Sequence, residues 1–383
     1  MNVLEKYASS CGVKLDSPTV ASSYFPLPYD RYIVIDNRNR NGMNVYDMYT
    51  DVIAYIAPVL KEHGIGIISL CKDTKSIIEK TRPYISLNKK QEAYILDNSL
   101  LNVCSDNLSS YFSSALDVPS ISLYATYPAD INKPIWSEKH LCIESKRSGN
   151  LPAYGVKEDP KSINFIEPEK IAQAVFDKLN IDKKIKWESI FIGDHYPVKI
   201  VEVIPDFVAD PSFMKSRALN VRMDHHFDEK ILCYWLKDRY LNILTDKPIN
   251  IDILKYFKKN VAQFTVSIND EFTEEYLKSV QEIGIKLEIF CEDLDKINEY
   301  RFKFFDFQVN DSDWKSKEDA GDELTDQTKF VTSKVVLSGG KKYSCYESKK
   351  QEKELTGEPE VIYDTPEFWK ELDHYRLINE LQS

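Results

Sequence analysis

The segment YIVIDNRNRNGMNVYDMYTDVIAYIAPVLKEHGIGIISL, residues 32–70, changes its hydrophobic period twice. YIVID (32–36) is a short apolar run rich in β-branched residues, and the polar loop NRNRNGMN follows. YDMYTDVIAYIAPVLKEHG then recurs at helical spacing and closes on Gly64, a C-cap candidate, before the apolar run IGIISL (65–70). This is strand, loop, helix, strand. Working outward, DTKSIIEK reads as a short helix with Asp73 as a possible N-cap, and NKKQEAYILDNSL as a further helix. LLNVC (100–104), VPSISLYA (118–125) and HLCIES (140–145) read as strands, with NLSSYFSSAL as a helix between the first two. IEPEKIAQAVFDKLNI (166–181) closes the series as a helix, with Pro168 in its first turn. Strands alternating with helices predict a parallel, doubly wound sheet in an α/β domain over 31–184. Residues 1–30, interrupted by Pro18, Pro26 and Pro28, read as an arm.

A second alternating region follows, over 187–310. KIVEVI (199–204), LNVRM (219–223), LNILT (241–245), AQFTVSI (262–268), KLEIF (286–290) and KFFDFQV (303–309) are its expected strands. Helical stretches such as DEKILCYWLKDR separate them, so a second Rossmann-like domain is expected, with no short-period repeat evident. The charged, apolar-poor stretch 311–327 is expected as a linker. Residues 328–383 are expected to add a small β-hairpin around Gly339-Gly340 and a final helix over DTPEFWKELDHYRLINEL.

Composition bounds the function classes. The chain has 383 residues, 43% hydrophobic and 29% charged, with a formal net charge of -11. That describes an ordinary globular protein whose overall field does not attract a polyanion, so nucleic acid is not an expected partner. Seven scattered cysteines, never in a C-x-x-C pair, are expected as reduced thiols of a cytoplasmic protein. No apolar stretch reaches 18 residues, so no membrane insertion is expected. Walker A, G-x-G-x-x-G, nucleophile-elbow and H-E-x-x-H patterns are absent, which disfavours P-loop NTPases, dinucleotide oxidoreductases and nucleophilic hydrolases.

The segment LLNVCSDNLSSYFSSALDVPSISLYA (100–125) carries the most chemistry. A strand ends near Cys104 and a helix begins just after Ser105-Asp106-Asn107, so first-turn amides face the carboxyl edge of the sheet. Asp106 or Asn107 caps that helix. Free amides with the hydroxyls of Ser109 and Ser110 can bind a diphosphate, helped by the helix dipole. The plainer reading is an Asx cap followed by small residues that let the helix pack closely on the sheet.

Residues 32–181 resemble the nucleotide-sugar-binding domain of the family 9 glycosyltransferases, the ADP-heptose:lipopolysaccharide heptosyltransferase group. YIVIDNRNRNGMNVYD, IGIISL, CSDNLSSYFSSALDVPSISLYA and SINFIEPEKIAQAVFDKL stand in the family's order and at similar spacing. Within the family's central block, N-D-S-G-x-x-H-x-A-x-A-x-G-x-P, Asp106, Ala115 and Pro119 keep their places, while the glycine falls on Leu108 and the histidine on Tyr111. The resemblance implies a GT-B-like enzyme with two Rossmann-like domains. It implies inverting, metal-independent transfer of a sugar from a nucleoside-diphosphate donor, ADP-heptose-like, to a hydroxyl acceptor, with no cofactor. It places donor contacts on Arg38 or Arg40 in the first loop, on Asp106, Asn107, Ser109, Ser110 and Tyr111, and for the ribose on Asp73, with Glu144 as a second choice. In the family the acceptor domain precedes the donor domain; here only about 30 residues do.

The transfer that the resemblance implies needs a carboxylate base, and the second region offers candidates. Asp224 and His225, in NVRMDHHFDE just past the strand LNVRM, are the catalytic candidates; Asp194 and His195 in IGDHYPVK, and Thr245, Asp246 and Lys247 in LTDKP, lie in other polar loops. The bland alternative has Asp224 capping a helix and the histidines on the surface. Two functions follow: a glycosyltransferase acting on a glycan or other hydroxyl acceptor, or an inactive protein of the same fold that binds a nucleotide, glycan or protein partner.

Overall fold

The computed structural model describes residues 2–16, 18–147, 151–154, 156–158, 160–191, 196–208, 219–291, 293–304, 307–311, 317 and 324–381. The chain forms two compact units, residues 1–191 with 379–383, and residues 192–378.

The first unit runs α1 (Val3–Ser10), β1 (Tyr32–Asp36), α2 (Tyr49–Glu62), β2 (Gly66–Cys71), β3 (Arg82–Ile85), α3 (Lys89–Asp97), β4 (Leu101–Ser105), α4 (Leu108–Ala115), β5 (Ser120–Tyr124), α5 (Ala129–Asn132), β6 (His140–Glu144), α6 (Pro168–Lys178) and β7 (Trp187–Ile190). Strands β1, β4 and β5 are buried along their whole length, which is why they read as unbroken apolar or small-residue runs and not as alternation. Six strands pair in the order β3-β2-β1-β4-β5-β6, all parallel. The chain winds outward from β1 to β3, then returns to β4 on the other side of β1. That reversal opens a crevice at the carboxyl ends of β1 and β4. Tyr32, Val34, Ile68 and Leu70 pack with Ile95 and Leu96 of α3, and Phe25 and Leu27 of the arm join them. DTKSIIEK is not a helix but one 3₁₀ turn, Thr74–Ser76.

The second unit runs β8 (Ile200–Val203), β9 (Leu219–Arg222), α7 (Glu229–Leu236), β10 (Leu241–Thr245), α8 (Ile251–Tyr256), β11 (Val261–Ser267), α9 (Glu274–Ile283), β12 (Leu287–Cys291), α10 (Leu294–Lys303), β13 (Gln308–Asp311), β14 (Thr328–Thr332), β15 (Lys334–Ser338), β16 (Lys341–Tyr343), α11 (Tyr346–Lys350), β17 (Glu360–Val361) and α12 (Pro366–Lys370), and the last strand, β18 (Tyr375–Glu380), begins in it and ends in the first unit's residues 379–383. Its large sheet has the order β13-β12-β11-β10-β9-β8-β15-β16, parallel up to the antiparallel β15/β16 hairpin. Here the expectation of a second doubly wound domain fails. Strands β8 to β13 follow one another without reversal, and right-handed crossovers then put every connecting helix on one face. Leu232 and Trp235 of α7, Leu254 of α8, Leu277 of α9 and Ile297 of α10 accordingly share one core with Val221, Ile243, Phe264 and Leu287. Those four strand residues are register partners spaced 22, 21 and 23 residues apart, a repeat that the sequence reading passed over.

The C-terminal expectation is corrected twice. The hairpin, turning on Gly339 and Gly340 at φ of 56° and 78°, is no appendage: β15 pairs parallel with β8 and extends the large sheet. The final helix ends at Lys370, and Tyr375–Glu380 is a strand. Its first four residues are buried on both faces, so the period of two is hidden in RLIN and its neighbours. Most of the expected linker 311–327 lies outside the described residues. All seven cysteines are unpaired, and among the described residues no helix is long and apolar enough to cross a membrane.

Candidate functional site

Each side of the β1/β4 crevice is held by the loop that follows its strand. After β1, Asp36 is 2% exposed and is held by Arg38, whose guanidinium also reaches Glu92 of α3, at 2.8 and 2.7 Å. Burial works against a charged Glu92, yet Arg38 and Lys89 outweigh it and hold its carboxyl below the usual range. Arg38 is therefore a bridge between β1 and α3. Arg40, two residues on, is exposed and makes no ion pair among the described residues.

After β4, Asn107 caps α4. Its carboxamide oxygen accepts the Ser109 amide at 3.0 Å and the Ser109 hydroxyl at 2.8 Å. Its Nδ2 donates to the carbonyls of Arg38 at 2.8 Å and Asp36 at 3.2 Å, tying the two loops together. The Ser110 hydroxyl donates to the Asn107 carbonyl at 2.7 Å. In the first turn of α4 the Leu108 amide has no bond among the described residues, and its side chain is 48% exposed. Asn39 donates to the Asp106 carbonyl at 2.6 Å, and Asn132 to the Asp106 carboxylate at 2.5 Å. Burial pushes the Asp106 carboxyl up to about 6, with the Asn132 bond pulling the other way. Tyr111 donates its hydroxyl to the Asn132 carbonyl at 2.7 Å. Burial first, and the Asp106 charge second, push it up to about 12.

The sequence candidates thus separate into groups. Arg38, Asp106, Asn107, Ser109, Ser110 and Tyr111 belong to the two strand ends at the reversal, with Arg40 in the loop beside them. Asp73 is instead the cap of the turn after β2, accepting the amides of Lys75 and Ser76 at 3.0 Å each. Glu144 is held by Arg147 at 2.6 Å and by the Ala129 amide at 3.1 Å. Asn39 and Asn132 were missed. The asparagine-rich loop NRNRNGMN carried a signal for the first, since asparagine bonds neighbouring backbone in turns.

In the second unit, Asp224 accepts a bidentate pair from Arg222 at 2.9 and 2.7 Å. The same guanidinium reaches Glu202 at 3.0 Å and His225 Nε2 at 3.1 Å. The His225 ring lies flat on Tyr346, centroids 3.7 Å apart, and burial together with the Arg222 charge pushes its pKa down to about 4. The cap of α7 is Asp228, not Asp224. Thr245 turns its hydroxyl back onto the Lys247 carbonyl at 2.7 Å, and Asp246 lends its carbonyl to Asn269. Asp194 and His195 lie outside the described residues.

No family model matches the chain, and no curated protein matches it. Solved structures do. A family 9 glycosyltransferase from Veillonella parvula aligns at 14% identity over 46% of this chain and 50% of its own, with a TM-score of 0.33. The Escherichia coli heptosyltransferase WaaC with ADP aligns at 14% identity over 45% and 54%, TM-score 0.33. The dodecameric iron-containing heptosyltransferase TibC, in complex with ADP-D-beta-D-heptose, aligns at 11% identity over 44% and 51%, TM-score 0.35. The chain spans about half the length of these structures. They belong to the group that residues 32–181 resemble.

Proposed function

We propose that the first unit binds the diphosphate of a nucleotide sugar in the β1/β4 crevice, and that the protein is a glycosyltransferase using that sugar as donor. The observation that carries this reading is the strand reversal, with the start of α4 on one side and an asparagine- and arginine-bearing loop on the other. Ligands of open α/β sheets sit at such reversals. The Leu108 amide and the positive end of α4 suit an anion, and the exposed Arg40 guanidinium, like that amide, has no bond among the described residues and can offer a phosphate fork. Arg38 serves as a positioning residue, since both faces of its fork are taken. Asn107 and Asn39 set the distance between the two loops, and Asp106 has its carboxylate half-sheltered beside Asn132. Donor identity, ADP-heptose-like, and inverting chemistry without a metal come from the family resemblance.

A second reading keeps the nucleotide and drops the transfer. It is favoured by Asp224 and His225: a carboxylate already matched by a guanidinium, and an imidazole too weakly basic to hold a proton near neutrality, make a poor general base. The two readings part in one assay. Nucleoside diphosphate release from ADP-, GDP- and UDP-sugars is followed with and without a mixture of oligosaccharide acceptors. Acceptor-dependent release that falls at least tenfold in Arg40→Ala supports transfer. Nucleotide binding without release supports the second reading, and neither binding nor release rejects both.

A further inference from the structure

Strands β10, β11 and β12 lie side by side and parallel, so the segments that enter them share the amino edge of the large sheet. Those segments are KDRY (237–240), YFKKN (256–260) and GIK (284–286). They hold five cations, Lys237, Arg239, Lys258, Lys259 and Lys286, against one acid, Asp238, in a chain whose formal net charge is -11. Lys255 and Glu282, near the ends of α8 and α9, cancel. The carboxyl edge has the opposite sign: 246–250 and 268–273 carry Asp246, Asp270 and Glu271 against Lys247. With strands about 4.8 Å apart, the three entering segments lie within roughly 10 Å of one another.

The lysines of this edge are not spent inside the protein. Lys237, Lys258 and Lys259 are exposed and make no ion pair among the described residues, and Lys286 reaches the neutral carboxamide of Gln263 at 3.2 Å. The backbone beneath them is fixed. Asn260 donates its side chain to the Leu236 carbonyl at 2.6 Å and accepts the Leu241 amide at 2.9 Å, while the Lys286 carbonyl accepts the Phe264 amide at 2.8 Å. Two tyrosines stand out from the same edge: Tyr240 is 65% exposed and Tyr256 82%, the latter propped edge-on against Phe257 with centroids 4.7 Å apart. The helix dipole accounts for a cation in a last turn, such as Lys255. It does not account for exposed tyrosines, nor for Lys258, Lys259 and Lys286, which lie beyond the helices.

We infer that this edge docks on the surface of an anionic lipid bilayer. Tyrosine rings settle at the level of the headgroups, and lysines beside them are drawn to anionic lipid. Four of the five cations are lysines, point charges suited to a diffuse layer of headgroups. The single arginine, the residue whose fork nucleic-acid contacts favour, lies over the Trp235 ring at 4.7 Å. The acids of the opposite edge stand at least the length of β10 away, about 16 Å, and so beyond a Debye length of about 8 Å from a bilayer met edge-on. The chain's overall negative charge therefore does not oppose the contact. This goes beyond the donor reading and does not depend on it.

The test is co-sedimentation of the full chain with vesicles of phosphatidylcholine alone, or mixed with an equal part of phosphatidylglycerol, and with duplex DNA as a competitor. Binding is expected on the anionic vesicles alone and is expected to fall as salt rises. At about 1 kcal/mol per basic residue near the surface, the double change Lys258→Ala with Lys259→Ala should weaken partitioning roughly thirtyfold without altering melting. Tyr256→Ala should weaken it too, whereas Tyr7→Ala, in α1 and 71% exposed, should not. No binding to anionic vesicles, equal binding to both kinds, partitioning unchanged in the lysine variant, or displacement from vesicles by DNA would overturn the inference.

Discussion

Replacing Arg38 with alanine separates a structural bridge from a phosphate ligand. Asp36 and Glu92 have side chains 2% and 4% exposed, and both depend on this guanidinium. Removing one partner of a buried pair costs about 3–5 kcal/mol, and the lower end applies because Arg38 itself is 22% exposed, so water can enter. About 3 kcal/mol is roughly a hundredfold in an opening equilibrium. The assay is hydrogen exchange read peptide by peptide, with β9–β12 of the second unit as the internal reference. Amides of β1 and β4 are expected to exchange about a hundredfold faster in Arg38→Ala. The pH dependence has a defined sign. Glu92 has a folded pKa below its unfolded value of about 4.3, so its contribution is present above that value and is lost as pH falls through the folded one. The variant loses this term, so its excess exchange shrinks on acidification. Unchanged exchange in β1 and β4 at neutral pH would refute the bridge and return Arg38 to the list of free phosphate ligands.

Other expectations follow from single contacts. Asp106 has a folded pKa of about 6 against an unfolded value of about 3.9, so a charged Asp106 opposes folding above pH 6 and the penalty disappears as pH falls towards 4. Asp106→Asn should therefore stabilise the first unit by up to about 3 kcal/mol at pH 7.5 and by only about 0.5 kcal/mol at pH 4, as read by denaturant melts across pH. Gly66→Ala places a methyl 2.4 Å from the Tyr29 ring, which must move; the arm should become more sensitive to trypsin at a cost of about 1–3 kcal/mol. Lys334 is 2% exposed between Glu202 and Glu371 at 2.8 and 3.0 Å, so Lys334→Met should destabilise the second unit by about 3–5 kcal/mol in hydrogen exchange of β8 and β15.

How far the fold was legible depended on what each segment buries. Strands β1, β2, β4, β5 and β6 were readable because apolar or small-residue runs are bounded by loops and amphipathic helices. Strand β3 was not: RPYI is four residues long, half-exposed, and begins with Arg-Pro at the sheet edge. In the second unit every large-sheet strand up to β13 was anticipated near its place, but strand order is a long-range property. The clue was the recurrence of Val221, Ile243, Phe264 and Leu287, one core position per strand, with little else repeating around it. Strand β18 was misread because Tyr375, Leu377 and Ile378 are all buried, imitating a helical stripe. At the site, Asn107 and Asp106 were legible as a helix start. That Arg38 would be consumed by Glu92, 54 residues away, was not, because nothing local in NRNRNG points to α3.

The central claim is a diphosphate site at the β1/β4 reversal, and thermal unfolding with ADP, GDP, UDP, CDP and their sugars at millimolar concentration tests it most directly. A ligand at a hundred times its dissociation constant adds about 2.7 kcal/mol. For a unit of this size that raises the midpoint by roughly 5–10 °C. The account predicts such a rise with one diphosphate, lost in Arg40→Ala and Asp106→Ala. No rise with any nucleotide, or a rise that both variants retain in full, would contradict it.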